Sequence, residues 1–306
     1  MRALVLVNPG ARQGAAHADS ASRQLWAMGV DVIRARAESL SDWPELIDAY
    51  AERIDCVVVG GGDGSLNFAT ESVMRHDLTL GVLPLGTAND FARTLGCPAD
   101  PIEACRIVAE GVDHRVDVGQ VNDVYFLNVA SIGLAVRAKR YRSDAAKRWF
   151  GPLGYAGNVY AAFRDTRPFR AWVTCDGERR KLRTIQLAIG NGRYFGGGLA
   201  VSEDATLDDG KLDLFSLEPQ SLGALVRLLP ALKRGPGPAT QGGQLMRGEK
   251  IRIETARRRS INTDGEVLTH TPAEFRVLPQ ALTVRVPRTY REAFIARQGE
   301  DSGQHS

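Results

Sequence analysis

Short apolar runs alternate with helical patterns over about the first 120 residues of the chain. The apolar runs have the length of buried strands, and the segments between them repeat apolar residues at helical spacing. This alternation predicts an α/β domain with a mostly parallel sheet and helices on both faces. The expected strands cover residues 2–7, 31–36, 55–59 and 80–83, and the expected helices cover 18–28, 43–53, 66–75, 88–95 and 101–110.

The pattern changes after about residue 120, where most apolar segments are typical of antiparallel strands joined by tight turns. Helical patterns interrupt this second part at about 133–148, 153–165 and 220–233, and residues 298–306 are polar enough to predict a frayed tail. The expected strands here cover residues 124–130, 169–175, 182–190, 212–217, 249–254, 258–263, 274–278 and 281–286.

Three Asp-Gly pairs punctuate the second part of the chain: Asp176-Gly177, Asp209-Gly210 and Asp264-Gly265. Asp-Gly is a favoured pair for the type I′ turn of a β-hairpin, because both central residues need a positive φ. Each pair is therefore first of all a predicted hairpin turn.

The segment that says most about chemistry is the run of glycines after Val57-Val58-Val59. A buried strand that enters a glycine-rich turn and then a helix can hold phosphate, since backbone N–H groups and the helix dipole both favour an anion there. The run has no P-loop lysine, and it does not fit the dinucleotide fingerprint. Asp63 within it would repel phosphate unless a cation lay between them, so it indicates Mg²⁺ nearby. The alternative is a plain strand-to-helix turn with Ser65 as its N-cap.

A second unit of the same kind follows at residues 80–93. A short strand, 80–83, turns into a helix through a segment in which Thr87 and Asn89 offer a hydroxyl and an amide. Turns at the C-terminal ends of parallel strands gather on one edge of a sheet, where ligands bind. The two turns are therefore expected to share one nucleotide.

Both turns, Gly61-Gly62-Asp63-Gly64-Ser65-Leu66-Asn67 and Pro84-Leu85-Gly86-Thr87-Ala88-Asn89-Asp90-Phe91, resemble the catalytic domain of the diacylglycerol kinase family. The chain is most similar to the bacterial lipid kinases of that family, which are related to sphingosine kinases. Residues 128–133, 191–198, 207–210 and 264–266 resemble further family motifs, in the family's order. The likeness runs from Asn8-Pro9 to about Val286.

The resemblance implies an α+β fold with two domains. Residues 1–121 plus about 287–306 would form an α/β domain like those of NAD kinase and phosphofructokinase, and residues 122–286 would form a β-sandwich-like domain. ATP would bind between the two domains with its metal.

The resemblance also implies the roles of particular residues. Asp63 and Glu266 would be catalytic, with Asp63 organising Mg²⁺ through water and Glu266 acting as the general base. Asp209 would bind a structural Mg²⁺ together with the backbone carbonyls of Thr206 and Lys211. The nucleotide would be held by Gly61, Gly62, Asp63, Gly64, Ser65, Leu66, Asn67 and Thr87.

The chain departs from the family pattern at two positions of the glycine segment. Ser65 stands where the family usually has Thr and keeps the hydroxyl. Phe68 stands where the family usually has Glu, so a carboxylate near the nucleotide is lost and any role assigned to that position is in doubt.

The composition is that of a globular protein with a sizeable hydrophobic core. The 306 residues are 43% hydrophobic and 25% charged, enough to bury a core over two domains or one large one. A net charge of +3 argues against wholesale nucleic-acid binding, while it permits local basic faces. The cysteines form no CxxC pair and are expected to be reduced thiols of a cytoplasmic protein.

The expected location is the cytoplasm, with peripheral contact at the inner membrane face. The sequence has no apparent targeting segment, and no apolar run approaches the ~20 residues that cross a bilayer. Expected partners are a lipid substrate at the membrane surface and anionic phospholipid headgroups, with a second copy of the chain as a further candidate. The basic residues that suggest a membrane contact lie at 137–148, beside Trp149 and Phe150, and at 179–183 and 257–259.

The sequence thus favours an ATP- and Mg²⁺-dependent lipid kinase with diacylglycerol as the leading acceptor. A kinase for a small soluble acceptor such as NAD stays open, because NAD kinases also carry a Gly-Gly-Asp-Gly loop. A nucleotide-binding regulator without catalysis is the third alternative, and Phe68 is its only support.

Overall fold

The computed structural model describes residues 1–10, 14–35, 37–134, 136, 166–195, 198–202, 205–218 and 243–303. Most of the expected helix 133–148 and all of those at 153–165 and 220–233 lie outside these residues, as does the basic segment beside Trp149 and Phe150. The chain divides into two compact units. Unit 1 comprises Met1–Asp117 and Pro279–Ser306, and unit 2 comprises Val118–Leu278.

Unit 1 is built on a parallel sheet whose strand order is β2-β1-β3-β4-β18. The core strand β3 is buried at every position, which explains its continuous apolar sequence. Helix α5 begins where Asp100 accepts hydrogen bonds from the N–H groups of Ile102 and Glu103. The strands are β1 (Arg2–Val7), β2 (Asp31–Arg34), β3 (Cys56–Gly61), β4 (Thr79–Pro84) and the end of β18 (Ala273–Val286); the helices are α1 (Gly14–Ala27), α2 (Trp43–Tyr50), α3 (Asp63–Arg75), α4 (Asp90–Thr94), α5 (Pro101–Glu110) and α6 (Arg288–Gly303).

The described strands of unit 2 are antiparallel and lie mostly in two large sheets, and β11 and β12 form a separate pair. One sheet has the order β14-β13-β10-β7-β16-β17, and the other contains β18-β15-β8-β9. Ile132 and Leu214 of the first sheet share a buried core with Val173 and Phe275 of the second, so the sheets pack face to face. The strands are β5 (Val112–Val121), β6 (Val124–Phe126), β7 (Val129–Gly133), β8 (Phe169–Cys175), β9 (Glu178–Thr184), β10 (Gln186–Gly190), β11 (Tyr194–Phe195), β12 (Leu199–Ala200), β13 (Leu212–Leu217), β14 (Gly243–Gly248), β15 (Lys250–Thr255), β16 (Ser260–Thr263), β17 (Glu266–His270) and the start of β18.

The fold class is confirmed: an α/β first part with a mostly parallel sheet, an antiparallel β second part, and α+β overall. Two expected strands, 274–278 and 281–286, are one strand, β18. Gln280 within it adopts a φ of 49°, and its N–H donates to Asp117 Oδ1 at 2.8 Å, so this irregular position of β18 is hydrogen-bonded to a side chain of β5. Strand β5 was not expected, because His114, Asp117 and Gln120 interrupt its apolar pattern although all three are buried.

The limits of the two compact units differ from the expected domain limits of 121/122 and 286/287. The units divide at 117/118 and 278/279, inside β5 and β18, so both strands run through a boundary. The prediction of a frayed tail at 298–306 also differs from the structure, because helix α6 extends to Gly303. In unit 1, His114 packs edge-on against Tyr290 and Phe294 of this helix, with ring centroids 5.4 and 4.7 Å apart.

Candidate nucleotide site and phosphoryl-transfer residues

The two glycine-containing turns lie side by side in unit 1, because β3 and β4 are parallel neighbours that end together. Gly61 is in register with Pro84, and the Leu85 N–H donates to the Gly61 carbonyl at 3.0 Å. A Cβ placed on Gly86 would lie 2.4 Å from the Cα of Gly62. The backbones of the two turns are therefore in direct contact, and no side chain fits between them.

Gly61 is held equally closely on its other side. A Cβ there would lie 2.5 Å from the Ser65 side chain, whose hydroxyl accepts a hydrogen bond from Asn8 Nδ2 at 2.9 Å. Ser65 is buried, and the residue that precedes helix α3 is Gly62. The alternative interpretation with Ser65 as N-cap is therefore wrong, because α3 already begins at Asp63 and Ser65 faces Asn8.

Asp63 joins the first turn to the second. Its carboxylate accepts hydrogen bonds from the N–H groups of Asp90 at 3.1 Å and Phe91 at 2.9 Å, the first two residues of α4. A carboxylate placed at these N–H groups stabilises the start of a helix by both hydrogen bonding and charge. Asp63 therefore has a structural task that sequence reasoning did not find.

Asn89 shapes the second turn from within. It adopts the left-handed conformation with a φ of 51°, and its Oδ1 accepts the Gly86 N–H at 2.9 Å. Its Nδ2 donates to the carbonyls of Pro84 and Gly86. The amide side chain fixes the turn while Gly86 and Thr87 stay exposed, so their atoms can reach a ligand.

These residues fit the phosphates of a nucleotide. The start of a helix favours an anion through its dipole and its first N–H groups, and α3 starts at Asp63-Gly64, while the Ser65 N–H donates to the Gly62 carbonyl at 2.9 Å. Leu66 is buried below this turn, and Phe68 is 37% exposed on the same helix. Within the described residues, Asn67 Oδ1 is buried and has no hydrogen-bond partner, so it can accept a hydrogen bond from a ligand or a water molecule.

Asp63 also fits a water-mediated contact with Mg²⁺. A carboxylate offers about four lone-pair positions, so it can contact a water of a hydrated ion while it accepts N–H groups such as those of Asp90 and Phe91. No group of three or more His, Cys, Asp or Glu side chains in the described part of the chain is arranged to bind a metal directly. A hydrated ion carried by the phosphates would suit the Asp63 carboxylate.

In unit 2, Asp264 organises the hairpin that carries Glu266. Asp264 and Gly265 have φ values of 45° and 101°, as a type I′ turn requires. The Asp264 carboxylate accepts hydrogen bonds from three successive N–H groups, those of residues 127–129, at distances from 2.6 to 3.2 Å. Glu266 follows as the first residue of β17 and is exposed.

The same corner of unit 2 holds another of the predicted motifs. The N–H of Asn191 donates to the Asn128 carbonyl at 2.8 Å, and its Nδ2 donates to the Leu127 carbonyl at 3.0 Å. The motifs at 128–133, 191–198 and 264–266 therefore meet at residues 127–129. The sequence analysis recognised all three segments as motifs of one family, but it did not identify Asp264 as the residue whose carboxylate holds residues 127–129.

The expected metal residue Asp209 also lies in unit 2, with different contacts. Its carboxylate accepts hydrogen bonds from the N–H groups of Thr206 at 3.1 Å and Lys211 at 2.9 Å. Its Oδ2 further contacts the Arg247 guanidinium at 2.5 Å. A guanidinium at this oxygen repels a divalent cation, so the site as arranged does not fit Mg²⁺. Sequence reasoning gave no indication of Arg247.

Comparison with known proteins connects the two units to known domains. Residues 2–121 match the diacylglycerol kinase catalytic domain, and residues 128–286 match the YegS C-terminal NAD kinase beta sandwich-like domain. The chain belongs to the diacylglycerol kinase family. Membership in this family makes it a kinase and implies the use of ATP.

Relatives of the same family cover most of the chain. A "putative lipid kinase" of Staphylococcus epidermidis is 33% identical over 76% of this chain and 77% of its own length, and one of Staphylococcus aureus is 31% identical over the same shares. A crystal structure of a "putative diacylglycerol kinase" from Bacillus anthracis matches with a TM-score of 0.80 and 26% identity, over 94% of this chain and 96% of that one. No helix among the described residues is long and apolar enough to cross a membrane.

Proposed function

We propose that this kinase transfers the γ-phosphoryl group of Mg-ATP to the hydroxyl of a lipid, with diacylglycerol as the leading acceptor. The observation that supports ATP binding most strongly is the contact between the Gly62 and Gly86 backbones at the ends of β3 and β4. It supports a phosphate cradle that excludes side chains. The lipid acceptor is suggested by relatives that are named as lipid kinases and diacylglycerol kinases.

The nucleotide's phosphates lie on the first turn of α3, and Gly61 to Asn67 and Thr87 contact them. Bound Mg²⁺ would neutralise phosphate charge, and Asp63 would hold it through water. The lipid hydroxyl oxygen forms a bond to the γ-phosphorus while the bond between that phosphorus and the β–γ bridging oxygen breaks, and ADP leaves. The hydroxyl proton passes to the Glu266 carboxylate, whose exposed position suits a base that must meet a large substrate.

We further propose that the outer face of the β18-β15-β8-β9 sheet rests on anionic phospholipid headgroups. Basic side chains outnumber acidic ones on this face. They are Arg170, Arg179, Lys181, Arg183, Lys250, Arg252 and Arg276, against Glu254 and Glu274.

A pair of like charges supports this orientation toward the membrane. Arg170 lies directly opposite Arg183 in the β8–β9 register, and both are exposed. Like charges in this position destabilise a sheet, and phosphate headgroups would relieve the repulsion. Next to them, Lys181 Nζ lies over the half-buried Trp172 ring, 5.7 Å from the ring centroid. Tryptophan is an aromatic side chain suited to a membrane interface.

Incubation with labelled ATP and three acceptor conditions separates the candidate functions: a total lipid extract, NAD, and buffer alone. A lipid kinase gives a labelled lipid whose identity reveals the acceptor. Label in NADP would instead favour a kinase for a soluble acceptor. ATP binding without any transfer would favour a regulator.

The role of Glu266 is tested by Glu266→Gln in the same assay. We expect turnover to fall about 10²–10⁴-fold with little change in ATP affinity, because the amide keeps the shape but cannot accept the proton. Glu249→Gln, at an exposed position next to β15, is the matched control and should leave turnover unchanged. Near wild-type turnover in Glu266→Gln would reduce Glu266 to a residue of the hairpin.

A further inference from the structure

Around the turn that precedes β13 lies a cluster of three charged residues, one of them buried, that the phosphoryl-transfer chemistry does not use. Asp213, in β13, is 1% exposed and lies directly opposite Arg247 of β14 in the antiparallel register. Arg247 Nε is 3.9 Å from Asp213 Oδ2, and Arg247 Nη2 is 2.5 Å from Asp209 Oδ2. The Arg247 guanidinium therefore lies near two carboxylates, that of Asp209 in the turn and that of Asp213 in β13.

The other groups around the Asp209 carboxylate are also hydrogen-bond donors. Asp209 Oδ2 also accepts hydrogen bonds from the Thr206 N–H and Oγ1, at 3.1 and 3.2 Å, so three donors converge on that oxygen. The groups of Thr206 and Lys211 that face the carboxylate are N–H and hydroxyl donors. Metal ligands must be acceptors, and a carboxylate surrounded by donors is already compensated.

We infer that the Arg247 guanidinium takes the place of a structural divalent cation in this chain, holding the 205–211 turn to β14 by its own charge. A cation is needed there because Asp213 is almost fully buried and Asp209 is only 18% exposed at its side chain. The guanidinium suits the task, since its planar fork can donate to two carboxylates at once and it stays charged at any accessible pH. Unit 2 is then independent of metal at this turn.

Thermal melting of the nucleotide-free full chain in MgCl₂ or EDTA, at constant ionic strength, tests the inference, with calorimetric titration of Mg²⁺ in parallel. We expect the wild-type melting temperature to be the same in both. Arg247→Gln should melt lower in EDTA and regain about 3–8 °C in saturating Mg²⁺, because removal of the guanidinium leaves an acidic turn that a dication can occupy. The gain should vanish in Arg247→Gln/Asp209→Asn.

Arg252→Gln is the matched control. It removes an arginine from β15, the next strand along the chain, whose partners Glu254 and Glu274 are 37% and 73% exposed at their side chains, and it should acquire no Mg²⁺ response. Arg247→Lys keeps the charge and should also stay insensitive to Mg²⁺, which covers the case that Arg247→Gln does not fold.

Two results would overturn the inference. One is saturable Mg²⁺ binding to the wild-type chain that Asp209→Asn abolishes, which would mean that metal binds with Arg247 in place. The other is an Arg247→Gln variant that melts as the wild type does and does not respond to Mg²⁺. Both readouts are independent of lipid phosphorylation, so they stand whether or not the proposed function is correct.

Discussion

The contact between Gly62 and Gly86 is the tightest constraint on residue identity in the nucleotide site. The constraint is asymmetric, because a Cβ on Gly86 would lie 2.4 Å from the Gly62 Cα and 2.6 Å from Asn89 Oδ1, whereas a Cβ on Gly62 would lie 3.3 Å from the Gly86 Cα. Neither glycine has a positive φ. The glycines are therefore required by close backbone approach.

This asymmetry makes a graded pair of variants informative. Gly86→Ala should weaken ATP binding at least tenfold, because the two turns must separate by a distance that misplaces the phosphate-binding N–H groups. In Gly62→Ala the new Cβ would make only a tight contact with the Gly86 Cα, so ATP binding should be weakened less. Equilibrium binding of ATP measures both, and an equal effect of the two substitutions would contradict a mechanism based on turn separation.

Asp63→Asn tests whether that carboxylate organises metal in addition to capping α4. The amide cannot accept from both Asp90 and Phe91 as the carboxylate does, so some stability is lost in any case. If Asp63 orients Mg²⁺, turnover should fall strongly, and the Mg²⁺ concentration for half-maximal rate should rise about tenfold or more.

Asp100→Asn is a matched control for this substitution. Asp100 caps α5 through two N–H groups in the same unit, and Asn is an equally good cap, so its Mg²⁺ dependence should equal that of the wild type. Unchanged turnover and Mg²⁺ dependence in Asp63→Asn would leave Asp63 with the capping role alone.

At the scale of elements, two hairpins in unit 2 have the same turn and different tasks. Asp176-Gly177 and Asp264-Gly265 both have two positive φ values, and each aspartate accepts N–H groups from another strand or turn. The hairpin at Asp176 was predicted from the Asp-Gly pair and is confirmed. The Asp264 hairpin differs because it carries Glu266 and fixes residues 127–129.

Replacement of each turn aspartate by asparagine separates stability from catalysis. Asp264→Asn and Asp176→Asn should each reduce the free energy of unfolding by about 1–3 kcal/mol, since backbone N–H groups lose a charged acceptor. Only Asp264→Asn should also lower turnover, by about tenfold or more, because it releases the strand that positions Glu266. Denaturant unfolding and turnover measured on the same preparations provide the comparison, and equal turnover in the two variants would contradict the positioning role.

The same elements show what sequence could and could not predict. The phosphate turn was predictable because three β-branched residues and three glycines describe a buried strand end and a close approach. Its internal contacts were not, because the Ser65 hydroxyl is used by Asn8, distant in sequence. Strand β5 was missed because its polar residues are buried by tertiary contacts, and Arg247 was missed because its role depends on the register between β13 and β14.

At the scale of the whole molecule, a net charge of +3 conceals an uneven distribution. The outward face of the β18-β15-β8-β9 sheet is basic, and the Arg170–Arg183 pair in it is repulsive as built. Its attraction to a membrane should depend on ionic strength, because the Debye length falls from ≈ 10 Å at 0.1 M salt to 3 Å at 1 M.

Vesicle cosedimentation measures this attraction. The wild-type chain should bind vesicles that contain phosphatidylglycerol at low salt and be released at high salt. Arg170→Glu/Arg183→Glu should bind at least about 30-fold more weakly, because each lost arginine costs about 1 kcal/mol and the two glutamates add repulsion, with activity on a detergent-dispersed acceptor retained.

Arg23→Glu/Arg106→Glu, on the exposed surface of α1 and α5, changes the net charge equally and is the control. Equal losses in the two double variants would assign the binding to net charge instead of to the sheet face.

Strand β18 has a consequence for synthesis of the chain on the ribosome. In the described structure the neighbours of β4 are β3 and the end of β18, which pairs Thr283 with Thr79. Everything between these two residues must be translated before the open edge of β4 is covered. The nascent chain therefore exposes the unpaired edge of β4 during most of its synthesis. Such an edge can bind chaperones or pair wrongly with another chain.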